Sequence, residues 1–216
     1  KPFKAGLPLT LLALVIVIMT GAGVTHTFIH HKATEVARLQ TIADLKARQI
    51  TDWLSERDRN AEFVRTSQFF ADSFRQWRDT GNARQGTALT TRLEEFRISN
   101  GFSGMMLLDA GGIVIWRSGA VSMPANAELA AAARQASAEG RVKRIGPYLG
   151  DSGQARLDFV APLKRYGAQA PVVVLRADPH DWLYSTLQTW PGHTDSGETL
   201  LFRRAGDRIV FLNDLR

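Results

Sequence analysis

The sequence predicts an α+β protein: an N-terminal membrane-spanning helix, a long helix continuing beyond it, and a five-stranded antiparallel sheet with helices packed on it. Three observations carry this reading. Leu7–Ile29 contains no Asp, Glu, Lys or Arg. From Thr34 to Val64 apolar residues recur at three- and four-residue steps without Pro or Gly. From Phe102 onward, short apolar runs alternate with turn residues in the order two strands, helix, three strands.

As a helix the first run is ~34 Å long, against a hydrocarbon core of roughly 30 Å. A signal-peptide apolar region is only ~7–15 residues. Thr20, Gly21 and Ala22 are small enough for a signal peptidase, so cleavage is the rival to the retained anchor expected here. Lys1 and Lys4 favour a cytoplasmic N-terminus at residues 1–6, a span at 7–29 and export of the rest, although Lys32 and Arg38 follow the span. For a bacterial protein this means an inner-membrane anchor and a periplasmic remainder. Hydrophobic residues at 44% and charged residues at 22% are globular values. The formal charge of +6 comes from scattered arginines, mostly beside acids, as in Glu56-Arg57-Asp58-Arg59 and Arg78-Asp79. A nucleic-acid binder would gather them into a stripe, so no nucleic-acid partner is expected. With no cysteine, disulfides, thiolate metal sites and cysteine nucleophiles are excluded.

Val36, Leu39, Ala43, Ile50, Trp53, Leu54, Ala61 and Val64 fall near one stripe of the long helix. That stripe either covers the sheet or buries itself against a second copy, and a homodimer is expected. Phe70, Phe74 and Trp77 mark a further helical segment stopped by Thr80-Gly81, and Ala83–Ser99 a helix ended by Asn100-Gly101. Ser103–Leu108 and Ile113–Arg117 read as strands around Asp109-Ala110-Gly111-Gly112, whose glycines permit positive φ. Ala125–Glu139 is an alanine-rich helix between Pro124 and Gly140. Strands are expected at Arg141–Tyr148, Ala155–Ala161 and Val172–Arg176, with a turn at Asp151-Ser152-Gly153, and a short helix at Asp181–Trp190. After the break at Trp190-Pro191-Gly192-His193, Glu198–Arg203 and Arg208–Leu212 form a hairpin. It has no evident partner strands and reads as the first piece of another module, so the chain reads as a fragment.

This order, the anchor, the strand–turn–strand MMLLDAGGIVIW and the segment VVVLRADPHDWL resemble the extracytoplasmic Cache domains of bacterial sensors, which are PAS-like and often doubled. WPGHTDSGETLLFRRAGDRIVFLNDLR resembles the junction and first hairpin of the membrane-proximal module in sensor histidine kinases and diguanylate cyclases. The resemblance implies residues 30–190 as a membrane-distal module with its long helix, and 191–216 as the start of a second PAS-like module. It implies small-molecule sensing in two-component or related signal transduction. The alternative is a ligand-free scaffold that dimerises or binds a periplasmic protein.

Period-2 alternation nominates the site residues. In Ala155–Ala161, Leu157 and Phe159 point one way and Arg156 and Asp158 the other. Trp116 shares a face with Val114, opposite Arg117; Arg176 continues the face of Val172 and Val174, and Asp178 follows in phase. With Tyr148, these charges beside aromatics suit a small zwitterion or carboxylate, because fixed partners offset the burial of charge; the other reading, favoured for any one of these residues, is a solvated sheet edge or an internal ion pair. A cavity lined by Trp116, Tyr148, Asp158 and Asp178 would distinguish the sensor from the scaffold. In amino-acid-binding double Cache sensors a Gly-x-Asp near the last strand holds the ligand amine. Asp178 matches that Asp, but Arg176 replaces the glycine. Their Arg-x-Trp-Tyr group has no counterpart after Trp116-Arg117, where Ser118-Gly119 stands. The ligand class stays open.

His26 and His30, four apart, share a helix face, a spacing that permits metal or haem ligation; with His31 they read first as interfacial polar residues, and no metal or cofactor is assigned. His180 and His193 stand alone. Gly101-Phe102-Ser103-Gly104 is not a Gly-x-Ser-x-Gly elbow, and no phosphate loop ending in Lys-Ser/Thr occurs. No catalysis is expected within these residues; a kinase or nucleotide cyclase beyond Arg216 is the expected output.

Overall fold

A computed structural model describes residues 6–119, 127–149, 155–163, 169–189 and 199–211. It divides into two compact units, one up to Gln49 and one from Ile50. Helix α1, Gly6–Thr66, begins in the first and ends in the second. In the first unit Leu12, Ile16, Met19, Val24 and Phe28 are all exposed. An 18-residue window there has a mean hydropathy of 2.0 and is 0% buried, long and apolar enough to cross a membrane.

In the second unit, Ser67 breaks α1 from α2, Gln68–Thr80, and caps the new helix by accepting from the Phe70 amide. Gly81, left-handed at φ 64°, closes it, and Asn82 caps α3, Ala83–Ser99, by accepting from Arg84. The two helices approach closely at Gly86, where a Cβ would lie 2.7 Å from the Trp77 indole.

Strands β1 (Gly104–Leu108), β2 (Val114–Gly119), β3 (Lys143–Leu149), β4 (Ala155–Pro162) and β5 (Val172–Ala177) form one antiparallel sheet in the order β2-β1-β5-β4-β3. Its two faces carry separate cores. Met105, Leu107, Leu157, Phe159, Val173 and Leu175 pack with Trp53, Ala61 and Val64 of α1, Phe70 and Phe74 of α2 and Leu89 and Leu93 of α3. Met106, Leu108, Val160, Val172 and Val174 pack on the opposite face with Leu129, Ala133 and Ala136 of α4, Ala127–Glu139. Alanines let α4 lie close to the sheet, and Gly112, at φ 89°, lets the β1–β2 turn approach it, since a Cβ there would lie 3.1 Å from the Ala130 carbonyl oxygen.

The expected elements are present among the described residues with shifted ends. One alternation is corrected. Leu107 pairs with Trp116 and Leu108 with Val114, so Ile115 is an extra residue in β2. That bulge puts Val114 and Trp116 on opposite faces. The expected Asp181–Trp190 helix is a π-helical turn, His180–Tyr184, followed by α5, Ser185–Gln188. Strands β6 (Phe202–Ala205) and β7 (Arg208–Phe211) form a separate two-stranded sheet. The turn at Asp151–Gly153, the break at Trp190–His193 and the helix start at Ala125 lie outside the described residues.

Candidate functional site

Asp158 and Arg176 are direct cross-strand neighbours on β4 and β5, on the α4 side of the sheet. Both are buried, at 0% and 3% exposure. Arg176 donates from Nε to Asp158 Oδ1 at 2.8 Å and from Nη2 to Oδ2 at 2.7 Å, a bidentate pair. Tyr148, on β3, donates its phenol to Asp158 Oδ2 at 2.6 Å and accepts from Arg176 Nη2 at 3.0 Å. Each member thus touches the other two.

Burial pushes the Tyr148 phenol up, and the charge and hydrogen bond of Asp158 push it further, so it stays a neutral donor. Burial draws the Arg176 guanidinium down, but the hydrogen bond and charge of Asp158 outweigh this and hold it above its ordinary value. Arg156, two residues before Asp158 and opposite Tyr148, is buried on the same face, and its charge acts on the Tyr148 phenol in the lowering direction. These four residues carry two guanidinium charges against one carboxylate.

On the β1 side of Arg176 the floor is bare. Its cross-strand neighbour there is Gly104, which has no side chain. Ser103 fixes that edge by donating its hydroxyl to the Arg176 carbonyl at 3.1 Å. Neither residue stood out in the sequence as a site candidate; a small pair opening a strand was the available signal.

The other nominated residues lie apart. Trp116 is half-buried against the helical core, on the far side of the sheet from Asp158. Arg117, opposite Met106, reaches the polar face but is exposed on the edge strand. Asp178 falls just past the end of β5 and accepts from the His180 amide at 2.8 Å, stabilising the turn into the π-helix. The cavity expected between Trp116, Tyr148, Asp158 and Asp178 is therefore not assembled. Surface cavities of about 300, 360 and 450 Å³ among the described residues are lined by other residues, chiefly Phe74, Arg78 and Asp109 in the first, Phe63, Phe70 and Phe96 in the second and Asp58, Glu62 and Arg144 in the third.

On the helical face another cation is partly enclosed. The Arg57 guanidinium of α1 lies 5.6 Å from the Trp53 ring and 5.0 Å from that of Phe102, and donates to the Asn100 carbonyl. Burial draws this guanidinium below its ordinary value. It ties α1 to the turn that enters β1, directly before Ser103 and Gly104.

The described residues thus form a five-stranded antiparallel sheet in this order, with helices on both faces and a charged cluster on one. No protein-family model matches the chain, and no curated protein does. Among solved structures it is similar to the V. cholerae histidine kinase DctB sensor domain, at 17% identity and a TM-score of 0.53. The alignment covers 69% of this chain and 58% of that one, so the chain spans less than two thirds of that domain's length. At this identity the likeness concerns the fold alone.

Proposed function

We propose that this chain is a Cache-type periplasmic ligand-sensing region of a bacterial inner-membrane receptor, either a sensor histidine kinase or a diguanylate cyclase. The observation that carries the reading is the Tyr148–Asp158–Arg176 cluster with Arg156 beside it, buried on one face of a sensor-domain sheet. Guanidinium groups and a carboxylate fixed beside a phenol suit a small carboxylate or zwitterion, because fixed partners offset the burial of charge. Occupancy alters the packing of α1, and the membrane helix carries the change inward. It does so only through different affinities for two arrangements.

One observation favours the scaffold reading: both Asp158 oxygens already have partners within the protein. Thermal unfolding of the full chain in nanodiscs against organic acids, amino acids and amines separates the two. A ligand at 100 times its Kd adds about 2.7 kcal/mol, raising Tm by several degrees. The sensor reading expects such a shift and its loss in Arg156→Gln. Across such a panel, an unchanged midpoint favours the dimerising or partner-binding scaffold.

A further inference from the structure

The first unit carries two imidazoles whose Nε2 atoms face each other. His26 and His30 lie one helical turn apart on α1, with Nε2 atoms 3.2 Å apart and ring centroids 4.3 Å apart at 54°. Neither ring is covered by the rest of the chain; His26 lies at the outer end of the expected span and His30 just past it. The neighbouring hydroxyls are turned to the backbone: Thr25 donates to the Gly21 carbonyl, Thr27 to that of Gly23 and Thr34 to that of His30.

We propose that His26 and His30 form a bidentate site for a divalent transition cation such as Zn²⁺. Zinc binds imidazole nitrogen at roughly 2.0–2.1 Å, and two such ligands at a tetrahedral angle stand ~3.3 Å apart. The observed separation matches that spacing without a change of rotamer. Neutral imidazole is the ligand form, and divalent first-row ions from cobalt to zinc prefer it. Water or a second copy's pair fills the remaining positions. His31, one residue further, projects about 100° around the helix and cannot join the same chelate.

The test uses the full chain without a histidine tag, in nanodiscs, titrated with Zn²⁺ by calorimetry and with Co²⁺ by visible absorption. The site predicts one ion per chain or per pair of chains. Affinity should fall at least about tenfold in His26→Ala and in His30→Ala, and stay unchanged in His31→Ala. Both positions are exposed on a helix, so circular dichroism should show the variants folded. Absence of saturable Zn²⁺ binding would mean the rings merely share a hydrogen bond. Binding indifferent to His26→Ala would place the ion elsewhere. Either result overturns the proposal.

Discussion

On the face of the sheet covered by α1, α2 and α3, every β4 and β5 residue in the core is apolar: Ala155, Leu157, Phe159 and Ala161 against Val173, Leu175 and Ala177. The other face of the same two strands begins apolar, with Val160, Val172 and Val174 beneath α4, and then changes to Asp158, Arg176 and Arg156. The first face gains stability from area and close packing, terms without direction, so it tolerates one imperfect contact at modest cost. The second is stable only as a complete set, because a buried charge that loses its partner keeps its desolvation penalty. Adjacent residues of one strand thus obey different rules.

The sharpest way to break that contrast is to remove one member of the set. Asp158→Ala leaves Arg176 buried without its carboxylate, and unfolding in urea should show a loss of about 3–5 kcal/mol. Replacing both charges, in Asp158→Leu with Arg176→Met, extends the apolar surface of Val160 and Val174 and should recover most of it. If the double variant stays as unstable as the single one, the polar face is not governed by unpaired charge. A stable double variant also isolates sensing: any ligand-dependent rise in Tm should vanish from it while its own midpoint holds.

Much of this division was legible. Alternation in Ala155–Ala161 separates Leu157 and Phe159 from Arg156 and Asp158, and both pairs lie where the period places them, because β4 is regular through that stretch. Alternation failed where regularity failed. The extra residue Ile115 reverses Trp116, and a bulge depends on the partner strand, which a single segment does not reveal. Asp178 departs from the alternation for a related reason: the strand ends one residue earlier, and one carboxylate oxygen accepts from the amide of the following turn. Arg57 was hidden in the charge run Glu56-Arg57-Asp58-Arg59, although Trp53 one turn before it was a signal for an enclosed cation.

Arg57 tests the helical face at the place where it departs from pure packing. Arg57→Met keeps an unbranched stem of similar length but removes the cation between Trp53 and Phe102 and the donor to Asn100. The expected loss is about 1–2 kcal/mol, from one hydrogen bond and a partly desolvated cation–π contact. This is smaller than for Asp158→Ala, since no charge is left stranded. A loss as large as that of Asp158→Ala would show that the helical face, too, contains an all-or-none polar set.

The smallest effect belongs to an ion pair at the rim. Arg97 donates to Glu94 from Nε at 2.9 Å and from Nη2 at 2.7 Å, the same bidentate form as Arg176 on Asp158, but with side chains 18% and 33% exposed. The hydrogen bond from Arg97, aided by one from Ser118, lowers the Glu94 carboxyl from 4.5 to about 2. A lowered folded-state pKa contributes stability above the unfolded value, and that contribution is lost as pH falls from 4.5 toward 2. Water and salt screen a pair this exposed, so Glu94→Gln should cost less than about 1 kcal/mol at neutral pH. The gap between variant and parent should close on acidification, and shrink in about 0.5 M salt. A gap independent of pH and salt would mean that the glutamate acts through packing. Identical geometry then gives a large or a negligible energy according to burial alone, which is the property that sets the two arginines apart.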